Sequence, residues 1–238
     1  MRRVLIYFIC LLFACSCNNE KKQAELARQQ AYADSIAEAT KQAELAEQRR
    51  LDSLAEYAWG DVKFGMSNDD VINSETFKDW EIRHNYTNSL ELHSSNNTMF
   101  YTVFMDFYKD RLFEVTFYGY AKNENCNAII ESLTKKYGPA ISANPIPDES
   151  NYKITNNSSF YLLGEWNISY KTILVGIQNE KRGTINGKDW RIYNLYCRIN
   201  SSKEENIKIQ DEERANEEKR MNQLKQQKEK ETILQDLI

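Results

Sequence analysis

The spacing of apolar and polar residues changes along the chain, and each change marks a new element. Residues 4–14 form an unbroken apolar run directly after Met1-Arg2-Arg3. Residues 20–57 are dominated by Ala, Glu, Gln, Leu, Lys and Arg with no helix breaker. These residues lose little on entering a helix, so a long helix is predicted. Strict alternation then takes over. Tyr101, Val103, Met105 and Phe107 line one face of a strand, Lys109-Asp110 can turn it, and Phe113, Val115 and Phe117 line the same face of the returning strand. Cys126, Ile129, Ile130, Leu133 and Tyr137 recur at helical spacing within residues 125–137, and Gly138-Pro139 stops that helix. Residues 161–163, 166–170, 172–177 and 190–199 read as further strands, separated by polar loops at 142–157 and 179–188. Ahead of them, Ser67 can cap a short helix and Asp70 can return the capping bond. Residues 203–238 are charged and helical in character, but their heptad pattern breaks at Lys228 and Glu231, so no self-sufficient coiled coil is expected.

Strands in runs, without alternating helices, predict an α+β domain. Its antiparallel sheet would have about five to seven strands, with one or two helices packed on one face and long N- and C-terminal helices as flanks. Composition agrees: all Gly, Pro and Trp residues fall between Trp59 and Arg198, and the flanks contain none. The expected plan is a leader at residues 1–17, a helical stalk at 18–58, a globular domain at 59–200 and a charged tail at 201–238. The net charge of −4 offers no basic surplus for neutralising phosphates, so a nucleic-acid partner is not expected.

As a helix, residues 4–14 rise only about 16 Å, too little for a hydrocarbon core of about 30 Å, so the run reads as the apolar part of a cleaved signal. Leu12-Phe13-Ala14-Cys15 resembles the lipobox of bacterial lipoproteins, and Ala14-Cys15-Ser16-Cys17 fits the same pattern less well at its first position. The resemblance implies acylation at Cys15, with Cys17 as the alternative, and anchoring on the cell envelope. Several acyl chains hold a protein on a membrane without a spanning helix. An envelope compartment is oxidising, and Cys126 and Cys197 both face the expected core. They are read either as a disulfide or as two buried thiols.

The stalk repeats itself: Lys22-Gln23-Ala24-Glu25-Leu26-Ala27 recurs at residues 41–46, and Ala33-Asp34-Ser35-Ile36-Ala37-Glu38 is echoed by Leu51-Asp52-Ser53-Leu54-Ala55-Glu56. Fully helical, it would extend about 55 Å, as a spacer or as a partner-binding helix, and the two flanks can pair with each other or between molecules. Asp34-Ser35-Ile36 and Asp52-Ser53-Leu54 resemble the Asp-Ser-apolar acceptor of an envelope O-glycosylation system in Gram-negative anaerobes, which implies modification at Ser35 and Ser53. Gly65-Met66-Ser67, followed by Val71, resembles the opening of the BamE/SmpA class of small outer-membrane lipoproteins. That resemblance implies a compact α+β scaffold and no more, since the Leu-Gly-x-Pro continuation of the class is missing; the expected address of the anchored protein is the outer membrane of a Gram-negative cell.

Candidate chemistry is sparse. The chain has two histidines and no HExxH, GxSxG, Walker or paired CxxC motif. Glu91 and His93 would share a strand face. A pocket joining a histidine to a carboxylate would favour a hydrolase assembled from distant residues. Asp69-Asp70 lies in the first turn of a helix, where the macrodipole accounts for acids. Trp80, Tyr118, Tyr120 and Trp166, with Trp190, are the candidates for an aromatic surface binding a peptide or glycan. The expected function is therefore a non-enzymatic, lipid-anchored envelope protein with a protein-binding or scaffold domain, with no cofactor and no metal. An envelope hydrolase is the alternative.

Overall fold

The computed structural model describes residues 2–94, 96, 99–147, 160–185 and 188–235, and side chains at all of these except 2–21, 181–191 and 227–235. The chain divides into two units, residues 1–50 and 51–238. In the first, helix α1 (Arg2–Glu56) leaves every described side chain from 22 to 50 exposed, including Leu26, Tyr32, Ile36 and Leu45. Local pairs decorate it: Gln42 Nε2 donates to Glu38, and the Arg50 guanidinium makes two bonds to Glu47 at 2.7 and 2.8 Å. Among the described residues, no helix is long and apolar enough to cross a membrane.

The second unit begins within the last turns of α1, where Ala55 is buried and Leu51 and Leu54 pack against the core. A two-stranded ribbon follows, β1 (Tyr57–Trp59) with β2 (Val62–Lys63). Each residue of the Gly65-Met66-Ser67 signature has a local task. Gly65 sits at φ 81°, a region that disfavours a side chain, under the Arg111–Glu204 ion pair. Its N–H donates to the Leu112 carbonyl, and the Leu112 N–H returns a bond to the Met66 carbonyl. Ser67 caps α2 (Asn68–Ile72) by accepting from the Asp70 N–H, while its hydroxyl donates to the Asp70 carboxylate at 2.7 Å.

Among the described residues, eight strands form one antiparallel sheet: β3 (Glu81–Tyr86), β4 (Ser89–His93), β5 (Phe100–Tyr108), β6 (Arg111–Tyr120), β7 (Ser142–Ala143), β8 (Phe160–Ile168), β9 (Lys171–Ile185) and β10 (Lys188–Ser201). Their order is β3-β4-β5-β6-β10-β9-β8-β7. Two four-stranded meanders thus enter from opposite edges and meet at β6 and β10, where Tyr118 lies opposite Tyr196 and Phe117 opposite Cys197. Helix α3 (Asn123–Tyr137) links them, buries Cys126, Ile129 and Leu133, and ends at Gly138 with φ 88°. Helix α4 (Ser202–Gln235) is tied to the sheet by its first turns: Glu204 takes two 2.9 Å bonds from Arg111, and Asp211 accepts from Lys109 at 2.6 Å.

The core lies on one face of the sheet, filled by Leu90, Leu92, Val103, Met105, Val115, Phe117, Val175 and Leu195 among others. The α+β architecture with helical flanks is as expected, and the main hairpin turns at Lys109-Asp110, both with positive φ. Several details differ. The sheet has eight strands rather than five to seven. Residues 161–163 and 166–168 belong to one strand, β8, whose register slips at Gly164, and β3 shows no alternation because all six of its residues are exposed. A register shift between Phe100 and Thr102 puts Phe100 into the core and takes Tyr101 out of it. A second shift between Asp106 and Phe107 gives the core position expected of Phe113 to Leu112. Cys126 and Cys197 are both buried, and in the structure they are two thiols rather than the halves of a disulfide. Each is held within its own packed layer, one on α3 and one on β10, and behaves as a small hydrophobe.

Lys171, at the start of β9, is only 1 % exposed. Its Nζ donates to the Tyr57 carbonyl at 2.6 Å and to the Tyr137 hydroxyl at 2.8 Å, linking β1, α3 and the sheet. Burial pushes its amine down to about 7, the charge of Lys136 acts in the same direction, and Cys197 opposes them.

Candidate functional site

Residues out of phase with the core face the other side of the sheet, and there the chain places rings where a solvated face would carry polar groups. Four of them form a continuous edge-to-face ladder. Phe104 meets Tyr118 with centroids 5.5 Å apart at 87°, Tyr118 meets Tyr196 at 5.6 Å and 74°, and Tyr196 meets Phe160 at 5.3 Å and 80°. The ladder crosses the junction of the two meanders. Edge-to-face geometry sets the positive edge of each ring against the negative face of the next, worth about 0.5–1.5 kcal/mol per pair beyond burial.

Gly176 permits the last contact. It lies on β9 between Tyr196 and Phe160, and a Cβ there would come within 2.4 Å of the Phe160 ring and 2.5 Å of the Tyr161 carbonyl oxygen. Gly176→Val is expected to displace Phe160, erase the near-UV dichroism of the ring pair, and lower stability by about 1–3 kcal/mol in denaturant unfolding. Retention of both signals at wild-type values would contradict this close approach.

Two hollows open beside the ladder. One, of about 450 Å³, is lined by Glu91, Tyr101, Phe104, Tyr118, Glu180 and Asn194, with Thr102 and Gln178 completing it. The second, of about 370 Å³, shares Tyr101 and Asn194 and adds His93, Tyr120, Ile192 and Tyr193. The Tyr101 hydroxyl donates to Asn194 Oδ1 at 2.9 Å, and its ring tilts against Tyr120 at 5.0 Å, so Tyr101 forms the wall between them. Burial holds the Tyr118 hydroxyl above its ordinary value, reinforced by Glu180, Glu114 and Asp106. Burial also raises Asp106, with the facing Glu114 adding to the effect, and pushes Tyr196 up to about 12. Arg198 answers Glu114 at 2.5 Å.

The expected site residues are dispersed. Tyr118 and Tyr120 belong to the open face, Tyr120 being 55 % exposed. Trp166 does not: it is 2 % exposed, and its indole N–H donates to the Gly138 carbonyl at 2.9 Å, so parity along β8 turns it into the core. Trp80 packs edge-on against the buried Phe77. The side chains of Trp190, Cys15 and Cys17 lie outside the described residues. Ser35 and Ser53 are exposed; Ser35 donates to the Tyr32 carbonyl. Glu91 and His93 share the open face as expected but line different hollows. The imidazole nearer Glu91 is that of His84, at 3.7 Å. Asp69 and Asp70 occupy the first turn of α2. Among the described residues, no three His, Cys, Asp or Glu side chains gather as a metal site.

Sequence reasoning missed Phe104, Tyr196 and Phe160 and assigned Tyr101 to the wrong face. Phe104 and Tyr196 each fall between two core residues, and that phase was the available signal. Comparison of the chain with protein-family models, curated proteins and solved structures gives no match.

Proposed function

We propose that this chain is a non-enzymatic envelope lipoprotein whose α+β domain binds a protein partner through the open face of its sheet. One observation carries the reading: a ladder of four rings on the face away from the core, beside two hollows. Half-buried rings that no other described element covers are what protein interfaces use at their centres. The address rests on the lipobox-like run ending at Cys15, with Cys17 as the alternative, which supports a lipid anchor on the cell envelope, proposed as the outer membrane of a Gram-negative cell; the Gly65–Val71 likeness to BamE/SmpA lipoproteins supports the scaffold fold. The exposed repeat accounts for Ser35 and Ser53 as O-glycan acceptors and leaves the helical flanks available for self-association.

Affinity capture of the full lipidated chain from envelope extracts tests the reading. A stoichiometric partner recovered with the wild type and lost with Tyr118→Ala supports it; a lone monomer from both sinks it. Mass measurement of the mature N-terminal peptide is expected to show acyl chains on Cys15, and an unmodified cysteine at both positions would sink the anchor.

A further inference from the structure

The sheet ends in two unlike edges. Strand β7 is two residues long, which leaves little backbone for another chain to pair with. Strand β3, at the opposite edge, has six residues and is paired on one side only, with β4. Among the described residues, no loop bonds the backbone on its other side. All six residues are exposed, Ile82 at 45 % and Tyr86 at 62 %, and the strand contains neither proline nor lysine.

Charge often blunts such an edge, because like charges repel an incoming strand. In β3 the charges are of opposite sign and stand two positions apart, at Glu81 and Arg83. Within one chain they meet along the strand at 3.4 Å, and both are half exposed or more, where such a pair contributes little. Run antiparallel to a copy of itself about Ile82, the segment is self-complementary. Glu81 stands opposite Arg83 of the second copy, Arg83 stands opposite its Glu81, and the two Ile82 side chains meet at the two-fold axis. Opposite charges directly across an antiparallel ladder attract, and a two-fold contact requires a surface that matches itself. An extended segment of a different protein would need its own match to Glu81 and Arg83, whereas a second copy supplies it by symmetry. A bulge between Ile82 and His84 bends β3, so the straight stretch is short and the association is weak and reversible.

We propose that the free edge of β3 pairs antiparallel with β3 of a second copy, centred on Ile82, and joins two eight-stranded sheets into one. The two open faces then lie on the same side of the joined sheet. The contact uses an edge and not the face, so it stands whether or not the open face binds a partner.

Sedimentation velocity of the full chain in detergent, at rising concentration, tests this with charge-reversed variants. The wild type is expected to form a reversible dimer that weakens as salt is raised. Glu81→Arg sets arginine against arginine, and Arg83→Glu sets glutamate against glutamate. Each is expected to raise the dimer dissociation constant about tenfold, with thermal melts confirming that both variants fold. In an equimolar mixture of the two variants every cross-strand pair is again of opposite sign, so a heterodimer of wild-type strength is expected. A dimer that neither substitution weakens overturns the proposal and assigns self-association to the helical flanks. Weakening that the mixture fails to restore also overturns it, because Glu81 and Arg83 then do not face each other. A wild type that stays monomeric at the highest concentration measured overturns it outright.

Discussion

Trp166→Ala is expected to lower the unfolding free energy of the second unit by about 3–5 kcal/mol, the range for removing a buried aromatic and leaving a cavity. The indole is 2 % exposed and lies against Gly164, where a Cβ would come within 2.7 Å of the ring. Its N–H also anchors the Gly138 carbonyl, so the ring fastens the end of α3 to β8. Trp166→Phe keeps much of the packing and loses that bond, and its cost is expected to be about 1–2 kcal/mol. Denaturant unfolding at constant pH measures both. An alanine variant within 1 kcal/mol of wild type would place the indole on a surface, as residue type alone suggests.

The second large effect is a gain in stability between about pH 7 and pH 9. Lys171 is buried and its amine is pushed down from 10.5 to about 7, so over that interval the unfolded chain holds a proton that the folded chain has released. Unfolding free energy then rises by about 1.4 kcal/mol per pH unit, giving on the order of 2–3 kcal/mol in all. Below about pH 7 both states are protonated and the contribution is flat. From about pH 9 the sign reverses by stages, because burial raises Cys197 from 9.0, and Tyr137 and Tyr196 from 10.0, each to about 12. The folded state then keeps protons that the unfolded state loses. Lys171→Met is expected to abolish the rise between pH 7 and 9 while leaving the decline at higher pH. A rise of wild-type size in that variant would assign it to another group. The neutral amine still has the two N–H bonds it needs for the Tyr57 carbonyl and the Tyr137 hydroxyl.

The same physics explains what the sequence could and could not disclose. The hairpin around Lys109-Asp110 was legible because Val103, Met105, Val115 and Phe117 keep a strict phase and because Asp110 tolerates positive φ. Helix α3 was legible from the spacing of Cys126, Ile129 and Leu133 and from the glycine that ends it. Register shifts defeated the reading of Tyr101 and Phe113, since one extra residue exchanges the faces of everything beyond it. The open face was hidden for a different reason. Its residues include Phe104, Tyr196 and Phe160, and aromatic residues in a strand read as core whichever way they point. Edge strand β3 left no apolar pattern because all six of its residues are exposed. Glu91 and Glu180 lie far apart in sequence and line one hollow only because the two halves of the sheet join at β6 and β10.

The junction of the two meanders has a consequence for folding. Among the described strands, every pair in the sheet joins neighbours in sequence except β6 with β10. Hairpins within each half close short loops, whereas the β6–β10 seam closes a long one and bears its entropy. The contact of Tyr118 with Tyr196 exists only once that seam has zipped, and so does the hollow, which draws on β4 and β5 from one half and on β9 and β10 from the other. A ligand that spanned the hollow would therefore bind the joined sheet in preference to either half alone. By mass action it would add RT ln(1 + [L]/Kd) to the stability of the joined sheet and so act as a clasp between the two halves.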